Sequence, residues 1–198
     1  MKKYAALTLS LIYIILAGCN SSTDADKTEQ ISLQALSDNY TVEQAKEDGC
    51  VIFENNDITC GQEIWDMFVE MASAERANSV RLGFYYTLDD PSRYAPEYYE
   101  LIKDNYPLLL LEDLAYDGTA YTIRWFEDDN EIIETYQYLM KYEGDSKSSN
   151  AAYNSYVRYV LTNDNSVTWD DIWMGALSSR IDDDIDHHVV YIDLIFSN

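Results

Sequence analysis

The stretch of sequence that decides the fold reads Leu108-Leu-Leu-Leu-Glu-Asp-Leu-Ala-Tyr116, Asp117-Gly118, Thr119-Ala-Tyr-Thr-Ile-Arg-Trp-Phe-Glu127. Its central aspartate–glycine pair suits a two-residue hairpin turn, which needs positive φ at both positions. A second turn at 128–130 leads into Ile132 to Tyr142, where tyrosine and methionine recur at alternate positions. Alternation of period two is typical of a half-buried strand. The pattern therefore predicts a three-stranded antiparallel meander over 108–142.

Helices and another strand precede the meander, and one helix follows it. Thr41 is placed to cap a short helix, and Gln44 three residues later can complete a capping box. Ser79 to Leu88 alternates and predicts a strand, and Thr168 is placed to cap a helix whose apolar face includes Trp169 and Trp173. The predicted helices cover about 41–48, 61–75, 96–105 and 168–178.

The last fifty residues complete the predicted fold. Residues 153–162 fit a helical stripe or a strand, and their aromatic and β-branched composition favours a strand. Residues 189–196 predict a further strand or a docked tail. Together the elements predict a single α+β domain over 39–198, with a mainly antiparallel sheet of five or more strands and helices packed mainly on one face.

The N-terminus has the features of an export signal. Lys2 and Lys3 precede an apolar run from Ala5 to Leu16, which is too short to span a bilayer but suits a signal peptide. Leu16-Ala17-Gly18-Cys19 then has the small-residue pattern that precedes a lipid-modified cysteine. We predict a lipoprotein signal peptide over 1–18, cleaved before a lipid-bearing Cys19. An ordinary signal peptide followed by a chance cysteine is the alternative.

Residues 19–38 predict a lipid anchor and a flexible tether. From Asn20 to Gln30 no apolar residue is larger than alanine, so this segment cannot bury enough surface to order itself. Two or more acyl chains on Cys19 make the attachment durable, whereas a single chain is reversible. The expected location is the extracytoplasmic face of the cell membrane. The membrane, reached through the lipid anchor, is therefore the first predicted partner.

The chain is strongly acidic. It has 36 aspartates and glutamates against 13 lysines and arginines, a formal net charge of −23. Such a charge repels nucleic acid and attracts cationic proteins, peptides or divalent ions, unless it serves only solubility. The seven glycines are scattered and form no phosphate-cradling loop, so we expect neither nucleic-acid nor nucleotide binding.

Cys50 and Cys60 suggest a disulfide, because an exported protein with two cysteines besides its anchor often bridges them. The segment between them predicts a short hairpin that turns at Asn55-Asn56. A three-residue loop centred on Asn55 would place the cysteines opposite each other, whereas a two-residue loop would separate them. The pair is therefore either a disulfide or two small buried apolar residues.

The acidic run Asp182-Asp183-Asp184-Ile185-Asp186 is the candidate metal site. Calcium takes several oxygen ligands from a flexible loop, and this run can supply three or four. It lacks the spacing and the glycine of an EF-hand loop, so a solvated acidic loop is the alternative. His187 and His188 follow, but adjacent residues of a strand point to opposite faces and cannot easily share an ion. No other cofactor is expected.

Catalytic signatures are few. The two histidines are adjacent and no Gly-x-Ser-x-Gly motif is present, so we assign no catalytic residue. The abundant acids still allow a carboxylate pair. The chain has eighteen tyrosines and four tryptophans. These tyrosines cannot all lie deep in the core, because each buried hydroxyl needs a hydrogen-bond partner. They predict an aromatic surface suited to proteins or glycans, or tyrosines along the rims of the sheet.

Five landmarks carry a resemblance to a known family. They are Gly49-Cys-Val-Ile, the helix around Trp65 and Phe68, Ser79-Val80-Arg81-Leu82, Tyr86-Thr-Leu-Asp-Asp-Pro91, and Tyr116-Asp117-Gly118. With them, residues from about 45 to 140 resemble a family of bacterial lipoproteins known as a domain of unknown function (number 4362). The landmarks are turns and strand patterns, and 141–198 have no counterpart. The resemblance implies a lipid-anchored envelope protein of the Gram-positive type and supplies no activity.

Taken together, the sequence predicts a non-enzymatic, lipid-anchored recognition module of the cell envelope. Its acidic, tyrosine-rich surface is expected to bind a protein, a peptide or an envelope polymer. The first alternative is an envelope hydrolase that uses a carboxylate pair, and the second is a calcium-stabilised extracellular domain.

Overall fold

Two β-sheets form the framework of the computed structural model, which describes residues 31–36, 39–54, 57–146, 153–178, 180 and 184–196. The architecture is α+β, as predicted. The strands are β1 (Val51–Glu54), β2 (Asp57–Cys60), β3 (Asn78–Tyr86), β4 (Leu108–Tyr116), β5 (Tyr121–Glu127), β6 (Asn130–Tyr136), β7 (Tyr138–Asp145), β8 (Ser155–Thr162) and β9 (His187–Ile195). The helices are α1 (Val42–Glu47), α2 (Gln62–Ser73), α3 (Pro96–Ile102) and α4 (Trp169–Leu177).

Six strands form the first sheet, in the order β2-β1-β3-β4-β5-β6. β1 and β3 pair in parallel, and all other neighbours are antiparallel. A parallel pair needs a crossover connection, which β2 and α2 supply between β1 and β3.

The second sheet is the antiparallel set β7-β8-β9, and it packs against the first. Its Leu161 and Val190 belong to the same buried cluster as Trp65 and Phe68 of α2 and Leu114 of the first sheet. The ring centroids of Phe53 and Tyr191 lie 5.1 Å apart across this core. One face of the first sheet is therefore covered by α2 and by the second sheet.

Helix α1 packs on the other face of the first sheet. Val42 and Ala45 of α1 pack against Ile52 of β1. The residues on either side of Ile52, Val51 and Phe53, point the opposite way and pack with α2 in the core. The physical reason is that β1 is apolar on both sides. Such a continuous apolar run is typical of a strand that is buried on both faces.

The third strand of the predicted meander is divided. β6 ends at Tyr136 in the first sheet, and β7 begins at Tyr138 in the second. Between them the Gln137 backbone N–H donates to the carbonyl oxygen of Thr162 at 3.2 Å. The alternation of apolar residues continues across this point, so the pattern alone does not show the change of sheet. β4, β5 and β6 form the observed meander.

The helix ends follow local sequence signals. The predicted capping box of Thr41 and Gln44 at the start of α1 is confirmed. Thr168 caps α4 as predicted, and Asp171 completes a capping box that was not predicted from the sequence. The predicted helix at 96–105 is α3 continued by a 3-10 turn over Lys103–Asn105, and it buries no residue. Within the described ranges, no helix is both long and apolar enough to cross a membrane.

The compact unit begins at Ile31, before the predicted domain boundary at residue 39. Arg81 Nη2 donates to the Ile31 carbonyl oxygen at 2.7 Å, and Leu33 and Leu36 line a cavity together with Leu109 of the first sheet. Ile31, Leu33 and Leu36 are apolar, unlike residues 20–30, where no apolar residue is larger than alanine. The predicted signal peptide, the predicted lipid-bearing Cys19 and the predicted tether up to residue 30 lie outside the described residues.

Candidate binding site

The outer face of the second sheet carries an unusual set of side chains. Tyr159 and Leu161 of β8 pack toward the core, so Tyr156 and Arg158 face the opposite way. On β7, Tyr142 pairs with Arg158 and Gly144 pairs with Tyr156. A Cβ atom at Gly144 would lie 3.3 Å from the Tyr156 hydroxyl, so the glycine leaves room for this ring. The alternation of two strands thus places tyrosines around one arginine.

Helix α4 covers part of this face. Its capping residue Thr168 fixes where the helix starts, and Trp169 is its first residue. The Tyr142 hydroxyl donates to the Val167 carbonyl oxygen at 2.8 Å, and the Tyr142 and Trp169 rings lie 6.3 Å apart. These contacts hold Trp169 above β8.

Arg158 packs against two aromatic rings. Its guanidinium carbon is 4.2 Å from the ring centroid of Tyr156 and 4.1 Å from that of Trp169. The residue is only 8% exposed, and its Nε has no hydrogen-bond partner. Among the described residues, no carboxylate lies within 4.0 Å of the guanidinium. Cation–π contact is therefore what stabilises this buried charge.

A cavity of about 250 Å³ opens beside the arginine, and we call it the Arg158 pocket. Its lining is Asp145, Ser146, Tyr153, Tyr156, Arg158, Trp169, Asp170 and Trp173. Tyr153 meets Tyr156 edge-on, with ring centroids 6.4 Å apart. Trp173 is 54% exposed, although the sequence pattern predicted it on the buried stripe of α4. The pocket thus combines a buried donor, flat apolar surfaces and carboxylates on one small site.

Only some of the tyrosines predicted to form an aromatic surface lie around Arg158. Tyr142, Tyr153 and Tyr156 surround Arg158, whereas Tyr121 and Tyr136 are buried in the core. Burial, together with the nearby Asp171 and Asp164 carboxylates, raises the pKa of Tyr142. Tyr142 is therefore a neutral hydrogen-bonding group at physiological pH.

The two cysteines are not brought together. Glu54 pairs with Asp57, which leaves two residues in the turn, and a bulge after Ile52 places Cys60 opposite Ile52. Both thiols are free, so the structure corrects the disulfide alternative through the register of the hairpin. Cys50 is buried, and this burial raises the pKa of its thiol, which makes it a poor nucleophile.

The two histidines serve different contacts. His188 Nε2 lies 3.3 Å from Glu112 Oε2, and its Nδ1 lies 3.7 Å from Glu134 Oε2. The ring also lies 5.1 Å from that of Trp125, so one residue of β9 joins three strands of the first sheet. His187 instead has Nδ1 at 2.6 Å from the Ile185 carbonyl oxygen. Neither histidine lines the cavities described here, and His188 is a contact between the sheets.

The acidic run is described only in part. Asp182 and Asp183 lie outside the described residues. Asp186 accepts a hydrogen bond from Asn163 Nδ2 at 3.2 Å. Among the residues that the structure describes, no three His, Cys, Asp or Glu side chains are grouped to hold a metal ion. Calcium binding through Asp184 and its neighbours stays a prediction.

A second cleft of about 360 Å³ lies between the two sheets. It is lined by Phe53, Phe84, Tyr85, Tyr86 and Thr87 from the first sheet and by residues 189–192 of β9. Among the residues that the structure describes, no carboxylate lines this cleft. It therefore lacks the acid pair that a glycoside hydrolase needs.

Sequence reasoning missed Arg158 as a site residue. A signal was present in Tyr156-Val157-Arg158, which places a tyrosine and an arginine on one face of a strand. The sequence could not show that Trp169, eleven positions later, contacts Arg158. That contact depends on how α4 crosses the second sheet. Only the fold brings these three side chains together.

The comparison with known proteins gives no relative. No family model, curated protein or solved structure matches the chain. The resemblance to the domain of unknown function 4362 therefore stays a prediction.

Proposed function

We propose that this chain is a non-enzymatic, lipid-anchored recognition module of the cell envelope, and that it binds its partner through the Arg158 pocket. The observation that carries the proposal is the pocket beside the buried guanidinium of Arg158, which packs against Tyr156 and Trp169 and whose Nε–H has no acceptor. An unpaired buried donor costs folding free energy, and a role of this region in binding is the explanation that we propose for it. The exposed Trp173 beside it supplies contact area at low entropic cost.

The position of the pocket supports this role. Ile31, where the described chain begins, is held by Arg81 on the α1 face of the first sheet. The Arg158 pocket lies on the far face of the second sheet, with both sheets between them. Ile31 and the pocket are therefore on opposite sides of the pair of sheets.

The anchor is the part of the proposal that rests on sequence alone. Leu16-Ala17-Gly18-Cys19 motivates it. We expect the wild-type protein to take up labelled fatty acid and to sediment with membranes, and the Cys19→Ala variant to do neither. A variant that is still labelled and still sediments with membranes would contradict lipid attachment at Cys19.

The binding role is tested by crosslinking in intact cells that carry the full chain. Trp173→Ala removes the exposed ring, and Met174→Ala is the matched control because it is 64% exposed on the same helix and does not line the pocket. We expect one specific partner, polymer or protein, to be captured by the wild type and by Met174→Ala and to be lost in Trp173→Ala. Equal capture by all three proteins would refute binding at this pocket.

The hydrolase alternative has less support. It needs a cavity that holds acids with raised pKa values. Among the described acids, the one with a raised pKa is Asp193, through its burial and the Asp57 carboxylate, and it lines neither the Arg158 pocket nor the cleft between the sheets.

A further inference from the structure

We infer that the cleft between the two sheets binds a short, extended and positively charged peptide segment, which adds as a strand to the outer edge of β9. In this mode of recognition, main-chain hydrogen bonds supply affinity and side-chain contacts supply specificity. The cleft shares no lining residue with the Arg158 pocket, so the inference goes beyond the proposed function.

The first step is the side of β9 on which the cleft lies. Four consecutive residues of β9, 189–192, line it. Successive side chains of a strand point to opposite faces, so a cavity that touches four residues in a row lies along an edge of the strand. β8 pairs with β9 along one edge, and no residue of β8 lines the cleft. The cleft therefore lies along the outer edge of β9, where the described part of the chain places no further strand.

The first sheet borders the same cleft with an edge of its own. Residues 84–87 line it, together with Phe53 of β1. β1 pairs with β3 only as far as Tyr85, and no residue of β4, on the other side of β3, lines the cleft. The cleft thus lies beside β3 where β1 ends. Two strand edges border it, and an extended segment can place its N–H and carbonyl groups against them.

The second step is the length of the segment. β9 carries a bulge at Val190, which has no partner in β8. A bulged edge resists long, regular pairing, including pairing with a second copy of this chain. The cleft has a volume of about 360 Å³, near the lower end of the range of about 300–1,000 Å³ for ligand sites. Both observations favour a few residues of extended peptide over a long strand.

The third step is the charge of the segment. Burial and the Asp57 carboxylate raise the pKa of Asp193, which follows the lining residue Ile192. Burial and the Asp193 and Asp57 carboxylates also raise the pKa of Tyr191, another lining residue, to about 12. Neither carboxylate has a salt bridge to a described lysine or arginine, and no described basic side chain lines the cleft. A lysine or arginine of the bound segment would supply the missing positive charge, and the net charge of −23 attracts such a segment.

The fourth step is the surface against which side chains of the segment pack. Tyr86 lines the cleft and is 48% exposed. Phe53 and Phe84 line it too, and their rings stack with centroids 4.9 Å apart. Apolar side chains pack on such rings, and so does the stem of a lysine, whose ammonium group is attracted to a ring face. The cleft therefore suits a segment in which apolar and basic residues alternate.

The test uses the full chain in detergent and a labelled pentapeptide probe, acetyl-Val-Lys-Val-Lys-Val-amide. Two matched probes replace both lysines by glutamates, or carry a methyl group on every backbone nitrogen. Fluorescence anisotropy measures the three affinities. We expect the lysine probe to bind at least about tenfold more tightly than the glutamate probe, because of its charge. We expect the same margin over the methylated probe, because that probe cannot donate main-chain hydrogen bonds.

Amide hydrogen exchange locates the bound probe. Saturation with the lysine probe should slow exchange in β9 and at residues 84–87, because a paired edge protects its N–H groups. It should leave exchange unchanged in β6, the outer strand of the first sheet. Protection that appears in α4 and not in β9 would place the probe at the Arg158 pocket and overturn the inference.

Variants separate the cleft from general attraction by charge. Tyr86→Ala removes a lining ring, and Tyr98→Ala is the matched control because its side chain is 53% exposed and does not line the cleft. We expect Tyr86→Ala to weaken binding of the lysine probe at least about fivefold and Tyr98→Ala to leave it unchanged. Asp193→Asn removes no packing, so it keeps the test valid if Tyr86→Ala impairs folding. It should weaken binding about threefold, whereas Asp129→Asn, which removes the same charge from the turn between β5 and β6, should not.

Four results would each overturn the inference. They are equal binding of the lysine and glutamate probes, undiminished binding of the methylated probe, an unchanged affinity in both Tyr86→Ala and Asp193→Asn, and no binding of any probe. Trp173→Ala is expected to bind the lysine probe like the wild type. None of these results bears on the proposed function, which fails only if capture in cells is independent of Trp173.

Discussion

At the scale of single residues, the fold treats its two buried arginines differently. Arg81 donates to both carboxylate oxygens of Asp113, at 2.6 and 2.9 Å, and to the Ile31 carbonyl oxygen. Arg158 instead packs against the rings of Tyr156 and Trp169, and its Nε has no hydrogen-bond partner. The acceptors around Arg81 make it part of the framework, whereas the unpaired buried donor of Arg158 calls for an explanation.

The Arg81 site makes the first prediction. Asp113→Ala leaves a guanidinium that is 3% exposed without its carboxylate, and we expect the free energy of unfolding to fall by about 3 kcal/mol. Asp89→Ala is the control, because its ion pair with Arg93 is exposed and worth less than about 0.5 kcal/mol. Urea unfolding measures both. Similar losses in the two variants would mean that Arg81 and Asp113 do not form the ion pair described here.

Asp193 makes a prediction about pH. Burial and the Asp57 carboxylate raise its pKa above the ordinary 3.8. The folded chain therefore takes up this proton more readily than the unfolded chain. The associated stability is present below the unfolded pKa and is lost as the pH rises through the folded value. At pH 7, charged Asp193 thus destabilises the fold.

The substitution Asp193→Asn removes that charge. We expect it to raise the free energy of unfolding at pH 7 by up to about 0.5 kcal/mol, since the site is only partly buried, and to lose this advantage as the pH falls toward the ordinary aspartate pKa. Asp129→Asn, in the turn between β5 and β6, controls for the general loss of one negative charge. The free energy of unfolding is measured by urea unfolding as a function of pH. An Asp193→Asn protein that is no more stable than Asp129→Asn at pH 7 would contradict the argument.

At the scale of elements, the sequence predicted what local chemistry decides. Thr41 and Thr168 marked the helix starts because a capping box involves residues three apart. The composition of 153–162 predicted β8 correctly because aromatic and β-branched residues suit a pleated surface. The exposure of Trp173 and Leu177 could not be predicted, because an apolar stripe does not show how much of it a neighbouring sheet will cover.

Helix α4 makes the prediction at this scale. Its capping box holds the first turn, where Trp169 covers Arg158. Thr168→Ala should destabilise this helix end by about 1 kcal/mol. Amide hydrogen exchange should then speed up in α4, and binding at the Arg158 pocket should weaken with it. Thr41→Ala is the matched control, since it removes the same cap from α1 on the far face of the first sheet. Unchanged exchange in α4 would show that packing, and not the cap, fixes Trp169.

At the scale of the whole molecule, the arrangement of layers could not be predicted from the chain. The alternation in 132–142 is the same whether β7 stays in the first sheet or leaves it. The hydrogen bond from the Gln137 N–H to the Thr162 carbonyl oxygen marks the point at which the chain enters the second sheet. These two residues are 25 positions apart in the sequence. The parallel pairing of β1 with β3 depends equally on distant residues. The Arg158 pocket exists only because this second sheet forms.

Net charge makes the last prediction. A chain with 36 acidic and 13 basic residues repels itself when folded, and salt screens this repulsion over about 10 Å at 0.1 M. Raising sodium chloride from about 0.02 to 0.5 M should therefore raise the melting temperature by several degrees. Calcium and magnesium chlorides at matched ionic strength separate screening from binding. Equal shifts with the two salts would reflect screening alone. A larger rise of the melting temperature with calcium than with magnesium, abolished by Asp184→Asn, would establish the calcium site in the acidic run. A melting temperature that does not depend on sodium chloride would show that charge repulsion does not limit the stability of this fold.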